Sequence, residues 1–225
     1  MKMRFYKTNL LFLFIFLLTA GQVFAQFEEQ FKRFNAKTKF ETAYKSLTEK
    51  PKWLFEGDVC PFNLIPEFET KVEYLSEGCA DDAQVCLNKC KENNGNACYS
   101  LALLVQEKKW LEPDYSEALF LRACKLGVMS GCTNRAAAIL SFKADDEKAV
   151  ICAGNTFEKT CEKKDPWGCT MFARILYYGL GRPKDSEKAL QVMSQSCQYG
   201  DEDEACKAAK KLTEEIKKSQ QEIKK

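Results

Sequence analysis

CEKKDPWGCTMFARILYYGLGRPKDSEKALQVMSQSCQYGDEDEAC, the stretch from Cys161 to Cys206, has a spacing that decides the fold. Between Trp167 and Tyr178 the apolar residues Met171, Phe172, Ile175, Leu176 and Tyr178 recur at three-and-four spacing, which predicts a helix with one buried face. Gly179 and Gly181 stop that helix and Pro183 fixes the turn. Asp185 or Ser186 can then accept hydrogen bonds from the free amides of a second helix through Ala189, Leu190, Met193 and Cys197. The product is a helical hairpin.

A hairpin of this size cannot bury its apolar faces by itself, so it makes sense only when stacked on copies. The cysteines mark the copies. Cys90 and Cys98, Cys124 and Cys132, and Cys161 and Cys169 each have seven residues between them, and Cys197 and Cys206 have eight. The first members recur about every 34–37 residues, the period of helix–turn–helix repeats. The expected fold is therefore all-α, an α/α solenoid of disulfide-stapled hairpins.

In each pair the first cysteine ends one helix and the second stands just inside the next, across a short turn such as Lys125–Gly131. Such a reversal can bring two Cα atoms to within roughly 6 Å, as a disulfide requires. Closing so short a loop stabilises by roughly 2–3 kcal/mol on the chain-entropy model. Cys79 and Cys86 flank a turn between two further expected helices, Phe68–Leu75 and Ala83–Lys91. Cys60 and Cys152 are then left for each other by elimination. The pairing of these four stays open at this level, because one different pair displaces another.

The run from Ala173 to Leu190, with Gly179-Leu-Gly181 at its centre and followed by Cys197 and Cys206, resembles a Sel1-like repeat. With its paired cysteines the chain is similar to the secreted cysteine-rich Sel1 proteins of bacteria, the Helicobacter cysteine-rich protein type. The resemblance covers about residues 79–212 and is degenerate in Ala136–Cys161, where Ser141-Phe-Lys-Ala-Asp-Asp-Glu147 replaces the loop glycines. It implies a TPR-like scaffold and, as an alternative activity, penicillin binding or weak β-lactam hydrolysis.

Ahead of the repeats, Met1–Ala25 has the form of a signal peptide: Lys2, Arg4 and Lys7 precede the apolar run Leu10–Leu18, and Val23-Phe24-Ala25 offers a cleavage site. An uncleaved anchor is the alternative. All 12 cysteines follow that site, an even number in a chain bound for export, which points to the periplasm or to secretion. Residues 26–78 form the expected N-terminal helical capping segment, with Phe27, Phe31 and Phe34, then Phe40, Tyr44 and Leu47, at helical spacing until Pro51. A docking segment is the other reading of that stretch. Trp53-Leu-Phe55 and Pro61-Phe62, on either side of Cys60, carry no repeat signature. Residues 79–212 are the solenoid, and 213–225 are a polar helix end and tail.

The chemistry is bounded by what is missing. There is no histidine, so Ser–His–Asp, Cys–His and histidine–metal sites are excluded. The cysteine spacing is too wide for the usual zinc pairs, and no C-x-x-C redox motif occurs. Gly179-Leu-Gly181 lacks the rest of a phosphate loop, and Asp145-Asp146-Glu147 and Asp201–Glu204 read as helix-start acids rather than calcium ligands. Serine β-lactamase elements are absent, the nearest approach being Thr160-Cys-Glu-Lys163. With 34 basic and 32 acidic residues, neither nucleic acid nor an anionic membrane is favoured as partner.

What remains is a surface. Stacked hairpins curve, and their first helices line an inner groove suited to an extended peptide or a partner's helix. Asn134, Arg135 and Arg174 are the polar residues expected to contact a protein or peptide partner there. The expected protein is a monomeric interaction module with no catalytic residue, cofactor or metal, and a cell-wall fragment is the other ligand class that the compartment and groove suggest.

Overall fold

The computed structural model describes residues 40–55, 59–72, 76, 78–79, 82–108 and 113–223. The expected signal peptide and residues 26–39 lie outside them. Helix α1 spans 40–48. It is followed by α2 (Ala83–Lys91), α3 (Gly95–Lys108), α4 (Pro113–Lys125), α5 (Met129–Phe142), α6 (Glu147–Glu162), α7 (Pro166–Tyr178), α8 (Ser186–Met193) and α9 (Glu204–Ile223). No strand occurs among the described residues, and from α2 onward each helix packs on the next, an all-α, solenoid-like arrangement.

Short polar side chains start most of these helices. Asp82, Asp146, Asp165 and Asp185 accept from the amides of Gln84, Lys148, Gly168 and Lys188, and Asn94 accepts from Ala97. Each satisfies donors that the first helical turn leaves without a carbonyl. At the far end of α7, Gly179 takes φ 70°, which a side chain would strain, and its N–H bonds the Ile175 carbonyl.

The turns joining one hairpin to the next carry the short-range disulfides Cys90–Cys98, Cys124–Cys132, Cys161–Cys169 and Cys197–Cys206, with Cα–Cα distances of 4.6, 4.5, 4.4 and 4.5 Å. So close an approach needs a small residue before the second cysteine. Gly131 and Gly168 stand there, and Ala97 and Ala205, both fully buried, do so in the outer pairs. A β-carbon on Gly131 would lie 2.8 Å from the Phe120 carbonyl oxygen. The α4–α5 turn is also tighter than its sequence suggests: α5 begins at Met129, so Gly131 is already helical.

The apolar interior has two main parts. Phe40, Leu47, Leu54, Leu87, Leu101 and Phe120 belong to one, built on α1–α4. Ile139, Phe157, Phe172, Ile175, Leu212 and Ile216 belong to the other, built on α5–α9. Polar contacts stand at the seam beside a small apolar cluster: the Arg135 guanidinium pairs with Glu117 across α5 and α4, Asn134 donates to the Tyr99 hydroxyl at 3.3 Å, and Cys124, Met129 and Cys132 pack together.

Residues 59–72 run across this seam as a strap. The spacing of Phe68–Leu75 predicts a helix, but 67–72 are not helical; the only helical turn in the strap is Pro61–Leu64. The backbone makes its bonds elsewhere. The Thr70 N–H donates to the Gly127 carbonyl at 2.8 Å, its hydroxyl to the Leu126 carbonyl at 2.9 Å, and the Asn96 amide donates to the Lys71 carbonyl at 3.0 Å. Local helix propensity yields to these long-range partners. Ile65 packs on a small cluster of Cys124, Met129 and Cys132, and Cys60 is bonded to Cys152 on α6, 92 residues away. The sixth bond, Cys79–Cys86, closes the turn before α2.

Just before the strap, Trp53 is held by Arg122 of α4, whose guanidinium lies 4.8 Å from the ring centroid. The same group donates to the carbonyls of Trp53 and Cys90 at 2.9 and 3.2 Å and to Asn93 at 2.9 Å. One arginine thus joins the leading segment, the α2–α3 turn and α4.

Candidate functional site

Between α3, α4 and α5 lies a groove of about 590 Å³. Its floor is apolar, from Val105, Phe120, Ala137 and Ala138, and its polar lining comes from Gln106, Glu117, Asn134 and Ser141. Phe142 also lines it and keeps 63% of its surface exposed. Helical spacing explains the arrangement: Asn134, Ala137, Ala138 and Ser141 stand at three-and-four intervals and share one face of α5. The small residues there leave the space that larger ones would fill.

The three residues expected at a partner surface have different fates. Asn134 lines the groove, with its amide on Tyr99. Arg135 is buried, and its ion pair with Glu117 fixes the groove's carboxylate. Arg174 is exposed on α7, its guanidinium 5.8 Å from the Tyr178 ring, outside the groove lining. The sequence reading passed over Gln106, Glu117, Phe120 and Phe142. The only signal for them was the alanine run 136–138, which left room on one face of α5.

A second, smaller cavity of about 260 Å³ is lined by Thr70 and Lys71 of the strap, Ser130, Lys164, Asp165 and Tyr199. Asp165, the N-cap of α7, is buried. It accepts from the Ser130 hydroxyl at 2.5 Å, the Thr133 hydroxyl at 2.7 Å and the Gly168 amide at 2.8 Å. Burial raises the carboxyl above its ordinary pKa; these three donors pull it down and Asp203 pushes it up, with burial prevailing. No cation contributes to that balance. The group is a polar rivet between consecutive hairpins, since Thr133 sits on α5 and also bonds Thr160 of α6.

Thr160, the closest match to a β-lactamase nucleophile, is fully buried and bonds the Phe157 carbonyl at 3.2 Å, out of reach of a substrate. Cys197, Asp201 and Cys206 come close enough to suggest metal ligands, but both sulfurs are spent on their disulfide. No cysteine is free. No helix among the described residues is long and apolar enough to cross a membrane.

No protein-family model, no curated protein and no solved structure matches this chain.

Proposed function

We infer that this chain is a secreted or periplasmic helical-repeat protein of the Sel1-like kind, and that it binds an extended peptide segment of another protein in the α3–α4–α5 groove. The observation that carries this reading is the groove itself: an apolar floor at Phe120 and Ala137 to receive a side chain, with the amides of Gln106 and Asn134 and the hydroxyl of Ser141 at hand for a peptide backbone. Six disulfides support it from two sides. They suit an oxidising compartment, and two of them, Cys90–Cys98 and Cys124–Cys132, staple the groove's helices at their ends before a ligand arrives, which lowers the ordering cost of binding.

The test is a random peptide library selected on the oxidised chain, followed by calorimetry of the enriched peptide. The expected result is a consensus with a large apolar residue, whose affinity falls by about tenfold or more in Ala138→Trp, which fills the groove, with helical circular dichroism unchanged. A consensus that binds Ala138→Trp equally well overturns the groove reading. Heat from a peptidoglycan fragment, with none from any selected peptide, would replace the peptide by a cell-wall ligand.

A further inference from the structure

The strap of residues 59–72 lines no part of the groove, yet one covalent bond and several long-range hydrogen bonds hold it down. Its bond differs from the other five. Cys79–Cys86, Cys90–Cys98, Cys124–Cys132 and Cys161–Cys169 have both cysteines buried, and Cys197–Cys206 has one. Only in Cys60–Cys152 are both half-buried. Thiol–disulfide exchange begins when a thiolate reaches a sulfur, so access grades the six bonds by rate.

The bonds differ equally in what their opening releases. Opening a short staple leaves its two helices packed and their turn in place. Opening Cys60–Cys152 leaves the strap attached to the repeats by the Thr70 and Asn96 hydrogen bonds, the Lys163 ammonium on the Glu67 carbonyl at 2.8 Å, the buried Pro61, the partly buried Ile65 and the Phe68 ring over Gly127. Beneath it lie Met129 and the Cys124–Cys132 bond, at the seam between the two cores.

We propose that Cys60–Cys152 is a redox latch, the site at which an extracytoplasmic dithiol acts on this protein to release the strap while the short staples stay closed. The dithiol's thiolate attacks one sulfur and forms a mixed disulfide as the other cysteine leaves as thiolate. The dithiol's second sulfur then displaces the attached cysteine. The dithiol becomes a disulfide, and two electrons and two protons pass to Cys60 and Cys152 as thiols. Oxidation by a disulfide of the same class closes the latch by the reverse steps.

The test is graded reduction of the native, oxidised chain with dithiothreitol, quenched with iodoacetamide and mapped by peptide mass spectrometry, with parallel chymotrypsin digestion. Cys60 and Cys152 should label at about tenfold less reductant than the other ten cysteines. Cuts after Phe62 and Phe68 should appear at that point, with helical circular dichroism unchanged. Opening of Cys197–Cys206 first, simultaneous opening of all six bonds, or a strap that stays uncut after Cys60 and Cys152 label would each overturn the latch. The Cys60→Ser, Cys152→Ser double variant should be cut at the same two phenylalanines without reductant. A folded double variant that resists chymotrypsin also sinks the proposal, and graded reduction of the native chain decides by itself if the variant does not fold.

Discussion

From α5 to α9 the interior is one apolar cluster, and each helix packs chiefly on the next. Phe157 on α6 and Phe172 and Ile175 on α7 are joined by a turn whose ends are stapled at Cys161–Cys169. The segment ahead of α2 is built otherwise. Residues 40–72 reach their partners over long separations: Trp53 to Arg122, Thr70 to Gly127, Cys60 to Cys152. One part of the molecule is held by repetition of a local unit, and the other by a few long-range ties, of which Cys60–Cys152 alone is covalent. Loss of one local staple is shared among neighbouring repeats, whereas loss of the covalent tie leaves the strap only its weaker bonds.

The sharpest test of that contrast is to delete one bond of each kind. On the chain-entropy model the 92-residue separation of Cys60–Cys152 is worth about 4.6 kcal/mol and the 8-residue separation of Cys161–Cys169 about 2.5 kcal/mol. Replacing both cysteines by serine should lower the urea midpoint more for the first pair than for the second. A larger loss for Cys161–Cys169 would break the comparison and place the main constraint within the hairpins.

The seam offers a second test. Arg135→Met alone takes the cation away from the partly buried Glu117 carboxylate, and should cost about 2 kcal/mol. Arg135→Met with Glu117→Leu puts apolar bulk at the seam between the two cores, and should recover most of that loss in the same denaturation experiment. If the double variant is no better than the single one, the pair contributes more than mutual neutralisation and the seam needs its charge.

The smallest effect concerns the rivet at Asp165. Its carboxyl is raised in the folded state by burial, so between the ordinary carboxylate pKa and the raised one the folded chain keeps a proton that the unfolded chain has lost. This contribution to stability is complete below the ordinary value and fades as pH rises through the raised one. Melting of the native chain and of Asp165→Asn from pH 4 to pH 7 should show the native chain losing ground to the variant, with a slope of at most about 1.4 kcal/mol per pH unit. A difference that moves the other way would mean that the hydroxyls of Ser130 and Thr133 outweigh burial.

Much of the repeat region was legible in the residues. The apolar spacing of Met171–Tyr178, the stop at Gly179 and the acid at Asp185 all act within a turn or two, and α7 and α8 stand where they point. The groove was only half legible. Asn134 could be placed on α5, but that Arg135 turns into the seam while Arg174 stays outside depends on which neighbour each face of the helix meets. The helix expected at Phe68–Leu75 fails over 68–72 for the same reason: the Thr70 N–H bonds the α4–α5 turn instead of a carbonyl of its own segment.

By itself the sequence determined the all-α class, the hairpin period, the helix starts and the cysteine count, because these rest on interactions between residues near one another along the chain. Only the tertiary structure decided that a strap crosses the seam, that small residues on α5 leave an open groove, and which of the open pairings holds, the Cys60–Cys152 pair left by elimination being the one formed. Those features depend on which distant surfaces come together, and neither spacing nor propensity carries that information.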